Sequence, residues 1–125
     1  MINLMSSSVL VIDDDPKFRG IARRMLAAFG LDVAGEAESA AAAISAAERL
    51  RPDAMLVDVG LPDRDGVELA GELVKLPWRP RVVLTSSNSE AASAKDLEHS
   101  GAAAFVPKAE LPNAALGQLL GPVAP

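Results

Sequence analysis

Short, wholly apolar runs alternate with alanine-rich stretches along almost the whole of this chain. The first run, Val9 to Ile12, has the length and β-branched character of a buried strand and leads directly into acidic residues. The next stretch repeats apolar residues at helical spacing, and Asp15-Pro16 and Gly30 are typical of its start and its end. This alternation predicts a parallel sheet whose strands are connected by helices.

The same reasoning locates the remaining elements. Predicted strands cover Leu31 to Gly35, Ala54 to Val57, Arg81 to Thr85 and Ala103 to Val106. Predicted helices cover Ser39 to Leu50, Gly66 to Lys75, Glu90 to His99 and Asn113 to Leu120. Five strands and five helices in 125 residues predict a doubly wound α/β domain, with helices on both faces of the sheet. We expect this domain to span 8–121, with a disordered tail at 1–7 and a second tail, or the start of a linker, at 122–125.

Side chains suited to phosphate chemistry stand at the carboxyl ends of the predicted strands. Asp13 and Asp14 follow the first strand, Asp58 follows the third, Thr85 ends the fourth and Lys108 follows the fifth. Ligands of doubly wound sheets bind beyond these ends, where the strand order reverses. Three crowded carboxylates need a cation or raised pKa values at neutral pH, and Mg²⁺ prefers such oxygen ligands. The set therefore predicts a magnesium site in which a carboxylate accepts a phosphoryl group.

Each of these residues also has a purely structural interpretation. The acids after the first strand could cap the first helix and complement its dipole, and we expect Asp15 to do only this. Asp58 could be a turn residue, Thr85 a strand former and Lys108 a solvated loop charge. The functional interpretation is favoured because four separate loops supply suitable side chains at one edge of the sheet.

Four segments of the sequence resemble the receiver domains of bacterial response regulators (CheY-like). They are Val9 to Pro16, Pro52 to Pro62 with Asp65-Gly66, Val82 to Ser86 and Gly101 to Lys108. The resemblance runs from about Val9 to Leu120, and the ending from Lys108 onward is most similar to the NarL/FixJ branch. It implies the flavodoxin-like strand order 2-1-3-4-5.

The resemblance implies a phosphoacceptor and a metal site. Asp58 would accept the phosphoryl group from a phosphohistidine on a sensor histidine kinase or a phosphotransfer protein. Asp14 would bind Mg²⁺ directly and Asp13 through water, while Asp58 and the backbone carbonyl of Gly60 would complete the protein ligands. The domain would then be a signalling phosphoacceptor that assists its own phosphotransfer and dephosphorylation, rather than an enzyme.

The resemblance also implies a switch. Lys108 would contact the phosphoryl group, Thr85 would bond to it after phosphorylation, and Phe105 would then turn inward. The face made by the fourth helix, the fifth strand and the fifth helix would change, which could drive homodimerisation or an exchange of partners. A fused or separate output domain would receive the signal.

The sequence departs from many receivers at two positions. Proline often follows the lysine, but here Pro107 precedes Lys108 and Ala109 follows it, which excludes a cis Lys-Pro bond. Gly60 stands where larger side chains are common. We hypothesise that it leaves the phosphoryl group accessible to water or to partners.

Two other functions stay open at this point. A phosphatase of the haloacid-dehalogenase type would use Asp13 as nucleophile and Asp15 as acid/base. It needs a further acidic motif after the lysine, where only Glu110 remains, and it gives Asp58 no role. A pseudo-receiver that only binds partners is the second alternative.

Composition excludes several classes of function. The net charge of −5 argues against direct nucleic-acid binding, which needs a basic surface. The absence of cysteine excludes disulfides and thiolate metal sites. No apolar run is long enough for a membrane span and the start does not resemble a signal peptide, so we expect a cytoplasmic location.

Overall fold

The computed structural model describes residues 7–121, which form a parallel five-stranded sheet with helices in the connections. The strands are β1 (Ser8–Ile12), β2 (Asp32–Ala37), β3 (Ala54–Asp58), β4 (Arg81–Ser86) and β5 (Ala104–Pro107). Their order in the sheet is β2-β1-β3-β4-β5, and every neighbouring pair is parallel. The predicted fold class and strand order are therefore confirmed.

The proposed tails fall largely outside the described residues, which exclude 1–6 and 122–125. Ser7 is described and is buried, and its carbonyl accepts a hydrogen bond from the Asp32 amide at 3.0 Å.

Helices cover both faces of the sheet. They are α1 (Pro16–Ala28), α2 (Ala40–Leu50), α3 (Gly66–Leu73), α4 (Ala94–Ser100) and α5 (Leu116–Leu119), with a 3₁₀ helix at Lys108–Asn113. Side chains of α2 and α3 form one apolar core with the sheet, and those of α1 and α5 form a second core on the opposite face. Every residue of β3 is buried, which explains why its sequence is apolar up to Asp58. Within residues 7–121, no helix combines the length and apolar character that crossing a membrane requires.

Two predicted helices differ from the structure. The fourth begins at Ala94 instead of Glu90, because Ser93 and Asp96 form a reciprocal capping box that fixes the start of α4. The last was predicted as one helix from Asn113 to Leu120 but is a 3₁₀ helix followed by the short α5. Ala114 between them has an extended backbone with ψ at 154°, so the two segments cannot join.

Candidate functional site

The predicted site residues meet at the carboxyl edge of the sheet. Asp58 and Thr85 are register partners at the ends of β3 and β4. Carboxylate oxygens of Asp13, Asp14 and Asp58 all lie within 4.8 Å of one another. The Lys108 ammonium lies 2.7 Å from Asp13 Oδ2 and 3.9 Å from Asp58 Oδ2. Four connections of the chain thus supply one charged pocket.

Asp58 occupies the floor of this pocket. Only 9% of its side chain is exposed, and its Oδ1 accepts a hydrogen bond from the Gly60 amide at 3.2 Å. Burial and the neighbouring charge of Asp13 raise the pKa of Asp58 above its usual value, with a smaller contribution from Asp14. The Gly60 amide and the Lys108 ammonium oppose this rise in pKa. Binding of a cation beside Asp58 would stabilise its ionised form.

Asp13 is buried more deeply than Asp58. Its Oδ1 accepts a hydrogen bond from the Asp15 amide at 2.9 Å, and its carbonyl accepts one from Arg19 Nη1 at 2.7 Å. Among the described residues, no donor forms a well-aligned hydrogen bond to Oδ2, which meets Lys108 only as an ion pair. A buried carboxylate oxygen with that much unused capacity fits a metal ion or its water ligands.

Asp14 and Gly60 form the open side of the pocket. Both are exposed, so the pocket is open to solvent on this side. A hard cation can therefore enter it with part of its water shell. All the candidate protein ligands are oxygens, three from carboxylates and one from the Gly60 carbonyl. This donor set fits Mg²⁺ and does not fit the softer metals that prefer sulfur or imidazole.

Lys108 has a neighbour that the sequence did not reveal. Its ammonium lies 4.2 Å from the centre of the Phe18 ring, within the range of a cation–π interaction. Phe18 is also one of the buried residues on the apolar face of α1. Its place in the first turn of α1, four residues after Asp14, was the available signal that it borders the pocket.

Thr85 is not in contact with Asp58 through its hydroxyl. The hydroxyl is buried and donates a hydrogen bond of 2.6 Å to the carbonyl of Val106 in β5. Phe105 precedes Val106, is half-buried and packs against the core beside α4. The threonine is therefore bonded to the strand that carries the predicted aromatic switch residue.

Asp15 lies apart from the carboxylate cluster and performs the role expected of it. Its side chain is exposed and accepts a hydrogen bond from the Lys17 amide at 3.0 Å, which caps α1 ahead of Pro16. Its carboxylate therefore caps the helix and is not part of the carboxylate cluster.

Residues 9–119 match the family model described as the response regulator receiver domain. The chain belongs to this family. The match includes every candidate site residue, and it confirms the predicted resemblance to receiver domains. It also decides against the phosphatase alternative, since the whole described sheet belongs to the receiver pattern.

Several curated relatives of this receiver are regulators. A putative transcriptional regulator of Pseudomonas aeruginosa is 33% identical over 104 residues, which are 83% of this chain and 50% of the relative. The virulence regulator BvgA of Bordetella pertussis is 32% identical over 106 residues, covering 85% of this chain and 51% of the relative. A protein-glutamate methylesterase of Hahella chejuensis is 33% identical, over 84% of this chain and 31% of the relative. The chain thus spans about half or less of the length of these relatives.

Solved receiver structures are similar in fold. The receiver domain of the putative response regulator NarL from Mycobacterium tuberculosis is 33% identical with a TM-score of 0.78, covering 87% of this chain and 89% of that one. A LuxR-family response regulator from Aurantimonas sp. is 25% identical with a TM-score of 0.79, covering 90% and 81%. These neighbours agree with the expected similarity to the NarL/FixJ branch.

Proposed function

We propose that this receiver accepts a phosphoryl group on Asp58 from a phosphohistidine of a sensor histidine kinase or phosphotransfer protein, in a reaction that requires Mg²⁺. The observation that carries the proposal is the pocket itself. A buried carboxylate, two further carboxylates and an ammonium group converge where a doubly wound sheet binds its ligands.

In the proposed reaction an Asp58 carboxylate oxygen attacks phosphorus. The bond between phosphorus and the histidine nitrogen breaks, and the imidazole leaves with the electron pair. Asp58 needs no general base, because the carboxylate is the nucleophile in its ionised form. Bound Mg²⁺ supplies positive charge that offsets the carboxylates and the phosphoryl oxygens. Asp14 would hold it directly, Asp13 through water, and the Gly60 carbonyl would complete the set with Asp58.

Lys108 supplies the second positive charge. Its ammonium already lies between Asp13 and Asp58, and Phe18 supports it from the side. A phosphoryl group on Asp58 would bring negatively charged oxygens next to Lys108 and draw the ammonium toward them. The same group would offer an acceptor to the Thr85 hydroxyl, which would have to leave the Val106 carbonyl.

That exchange is the proposed switch. Release of the Val106 carbonyl would loosen the contact between β4 and β5 and allow Phe105, half-buried in this structure, to turn inward. We propose that the face formed by α4, β5 and α5 changes as a result and controls homodimerisation or partner binding. The output, whether a fused domain or a separate protein, lies outside this domain. The negative net charge argues against direct nucleic-acid binding, and we propose a cytoplasmic location.

The test is the intact mass of the protein after incubation with acetyl phosphate and Mg²⁺. We expect the wild type to gain one phosphoryl group and Asp58→Ala to gain none. Omission of Mg²⁺ should abolish the gain. No gain in the wild type from acetyl phosphate or from a phosphorylated kinase would favour a pseudo-receiver, and a gain that persists in Asp58→Ala would place the acceptor elsewhere.

A further inference from the structure

The loop between β3 and α3 carries the Gly60 carbonyl and is closed at its base. Gly66 donates its amide to the Val59 carbonyl at 2.8 Å, and Gly60 and Asp65 form an isolated antiparallel bridge. These bonds close the base of the loop, and residues 61–64 form its tip. Gly60 lies where the base joins the tip.

Asp63 attaches the tip to the start of α2. Its Oδ1 accepts a hydrogen bond from the Ala40 amide at 2.8 Å, and its Oδ2 accepts one from the Ala41 amide at 3.0 Å. Amides in the first turn of a helix have no acceptor within the helix, and they attract negative charge. These bonds lower the pKa of Asp63, so its carboxylate is ionised at neutral pH.

The bonds to Asp63 are not the usual cap of α2, because a local residue supplies that cap. Ser39 accepts a hydrogen bond from the Ala42 amide at 3.1 Å and is the N-cap of the helix. Asp63 lies 23 residues from Ala40 along the chain and uses the two amides that Ser39 leaves free. Its bidentate bond therefore links two separate elements.

The local bonds of Gly60 come from its backbone: its amide donates a hydrogen bond to Asp58 Oδ1, and it forms the bridge with Asp65. It has no side chain, it is exposed, and a Cβ added to it would have no heavy atom within 4 Å. Leu61 is buried in the core and holds the loop against the sheet. An apolar contact is non-directional, whereas the two hydrogen bonds to Asp63 are directed and add a constraint on the orientation of the tip.

We propose that Asp63 is a positioning residue for the metal site: by bonding to the Ala40 and Ala41 amides it fixes the loop that presents the Gly60 carbonyl. This inference rests on the proposed function of the pocket. Asp63 does not touch the metal or the phosphoryl group, and it acts only through the backbone between residues 60 and 63.

The test compares Asp63→Ala, Asp63→Asn and the control Ser39→Ala. Both Asp63 variants remove the same charge, but asparagine keeps a carbonyl oxygen that can accept one of the two bonds. Ser39→Ala removes a cap from the same helix without touching the loop, and both alanine variants should lose stability by a similar amount. Two quantities are measured: the Mg²⁺ dissociation constant by NMR titration, and the amide order parameter of Gly60 in the metal-free protein.

We expect Asp63→Ala to raise the Mg²⁺ dissociation constant about fivefold and to lower the Gly60 order parameter. Asp63→Asn should change the dissociation constant and the order parameter less than Asp63→Ala does. Ser39→Ala should leave both quantities near the wild-type values. If the two Asp63 variants lose Mg²⁺ affinity and Gly60 order equally, the lost charge alone would explain the effect, and the proposal would be overturned. Equal losses in Asp63→Ala and Ser39→Ala would also overturn it, because helix stability alone would explain them.

The metal-free measurement separates this inference from the proposed function. If wild-type protein does not bind Mg²⁺, the proposed function fails, while a lowered Gly60 order parameter in Asp63→Ala would still show that Asp63 positions the loop. An unchanged order parameter in Asp63→Ala would overturn the positioning role whether or not the wild type binds Mg²⁺.

Discussion

The Lys108 ammonium lies 2.7 Å from Oδ2 of Asp13, a carboxylate with no exposed surface. The ion pair uses Oδ2 of Asp13, an atom that is also a candidate partner for a metal ion or its water ligands. If the pocket binds Mg²⁺ as proposed, Lys108 and Mg²⁺ would compete for the same negative charge. A phosphoryl group on Asp58 would add anionic oxygens that both cations could contact.

Replacing Lys108 with methionine should tighten magnesium binding and slow phosphoryl acceptance. Removal of an ammonium group a few ångströms from the carboxylates removes repulsion of the divalent ion, so we expect an affinity about tenfold higher in Lys108→Met. The transition state loses a donor to the phosphoryl oxygens, so acceptance from acetyl phosphate should slow on the order of 100-fold. NMR titration and the rate of mass gain measure the two effects.

The matched control for this variant is Lys95→Met, which removes an exposed lysine on α4. It should change neither quantity by more than about twofold, because exposed charges at a distance are screened by salt. Weaker magnesium binding in Lys108→Met would contradict the competition between the two cations.

Asp58→Asn should stabilise the metal-free protein at neutral pH. The pKa of Asp58 is raised in the folded chain, so its ionisation opposes folding. This penalty is absent at pH values below the unfolded pKa of about 3.9 and is fully present above the folded pKa. We therefore expect Asp58→Asn to be more stable than the wild type at pH 7 without Mg²⁺, and the gain in the free energy of unfolding should shrink as the pH falls.

Thermal unfolding between pH 7 and pH 4.5 measures this difference. Asp32→Asn is the control, because Asp32 is an exposed carboxylate at the opposite end of the sheet. Saturating Mg²⁺ should stabilise the wild type by mass action and remove the advantage of the variant. A gain that is constant with pH would show that the ionisation of Asp58 is not its cause.

Gly66→Ala should damage the fold at the phosphoacceptor. A Cβ on Gly66 would overlap the backbone of Asp58 and Val59, and those atoms cannot rotate away as a flexible side chain could. We expect a loss of about 2 kcal/mol or more in the free energy of unfolding. Gly60→Ala is the control in the same loop: its added methyl group meets no heavy atom within 4 Å, so it should change stability by less than about 0.5 kcal/mol. Urea denaturation compares the two variants, and equal losses would contradict the steric explanation.

The sheet and its pocket could be predicted because the sequence features that indicate them are local and numerous. β3 is buried throughout, so its sequence is uniformly apolar and its end is marked by Asp58. Once the strand order is known, parallel strands bring Asp13, Asp58, Thr85 and Lys108 to one edge without further information. The prediction of the pocket therefore needed only element types and their order.

The structure of the last predicted helix was harder to predict, because intrinsic helix propensities are only weak preferences. The segment from Asn113 to Leu120 contains enough alanine and leucine to suggest one helix. Packing of Leu111 and Leu116 into the second core instead leaves Ala114 extended between a 3₁₀ helix and α5. Tertiary packing of this kind overrides helix propensity and leaves no local trace.

Contacts between distant segments were also invisible to the sequence. The Phe18 ring beside Lys108 joins α1 to the residue after β5. Asp63 bonds to the start of α2, 23 positions earlier in the chain. Both depend on the orientation of side chains across elements, which periodicity and motif spacing do not encode.

Gly60→Arg should prolong the life of the phosphorylated state. Gly60 is exposed at the mouth of the pocket, its amide bonds to Asp58, and the space where its side chain would begin is open. A long side chain there can lie over the phosphoryl group and hinder the water molecule that attacks it, so autodephosphorylation should slow about threefold to tenfold. The measurement is the decay of the phosphorylated mass after the donor is removed, at saturating Mg²⁺. Gly60→Ala adds only a methyl group and should decay like the wild type, and an unchanged rate in Gly60→Arg would show that access across Gly60 does not control the lifetime.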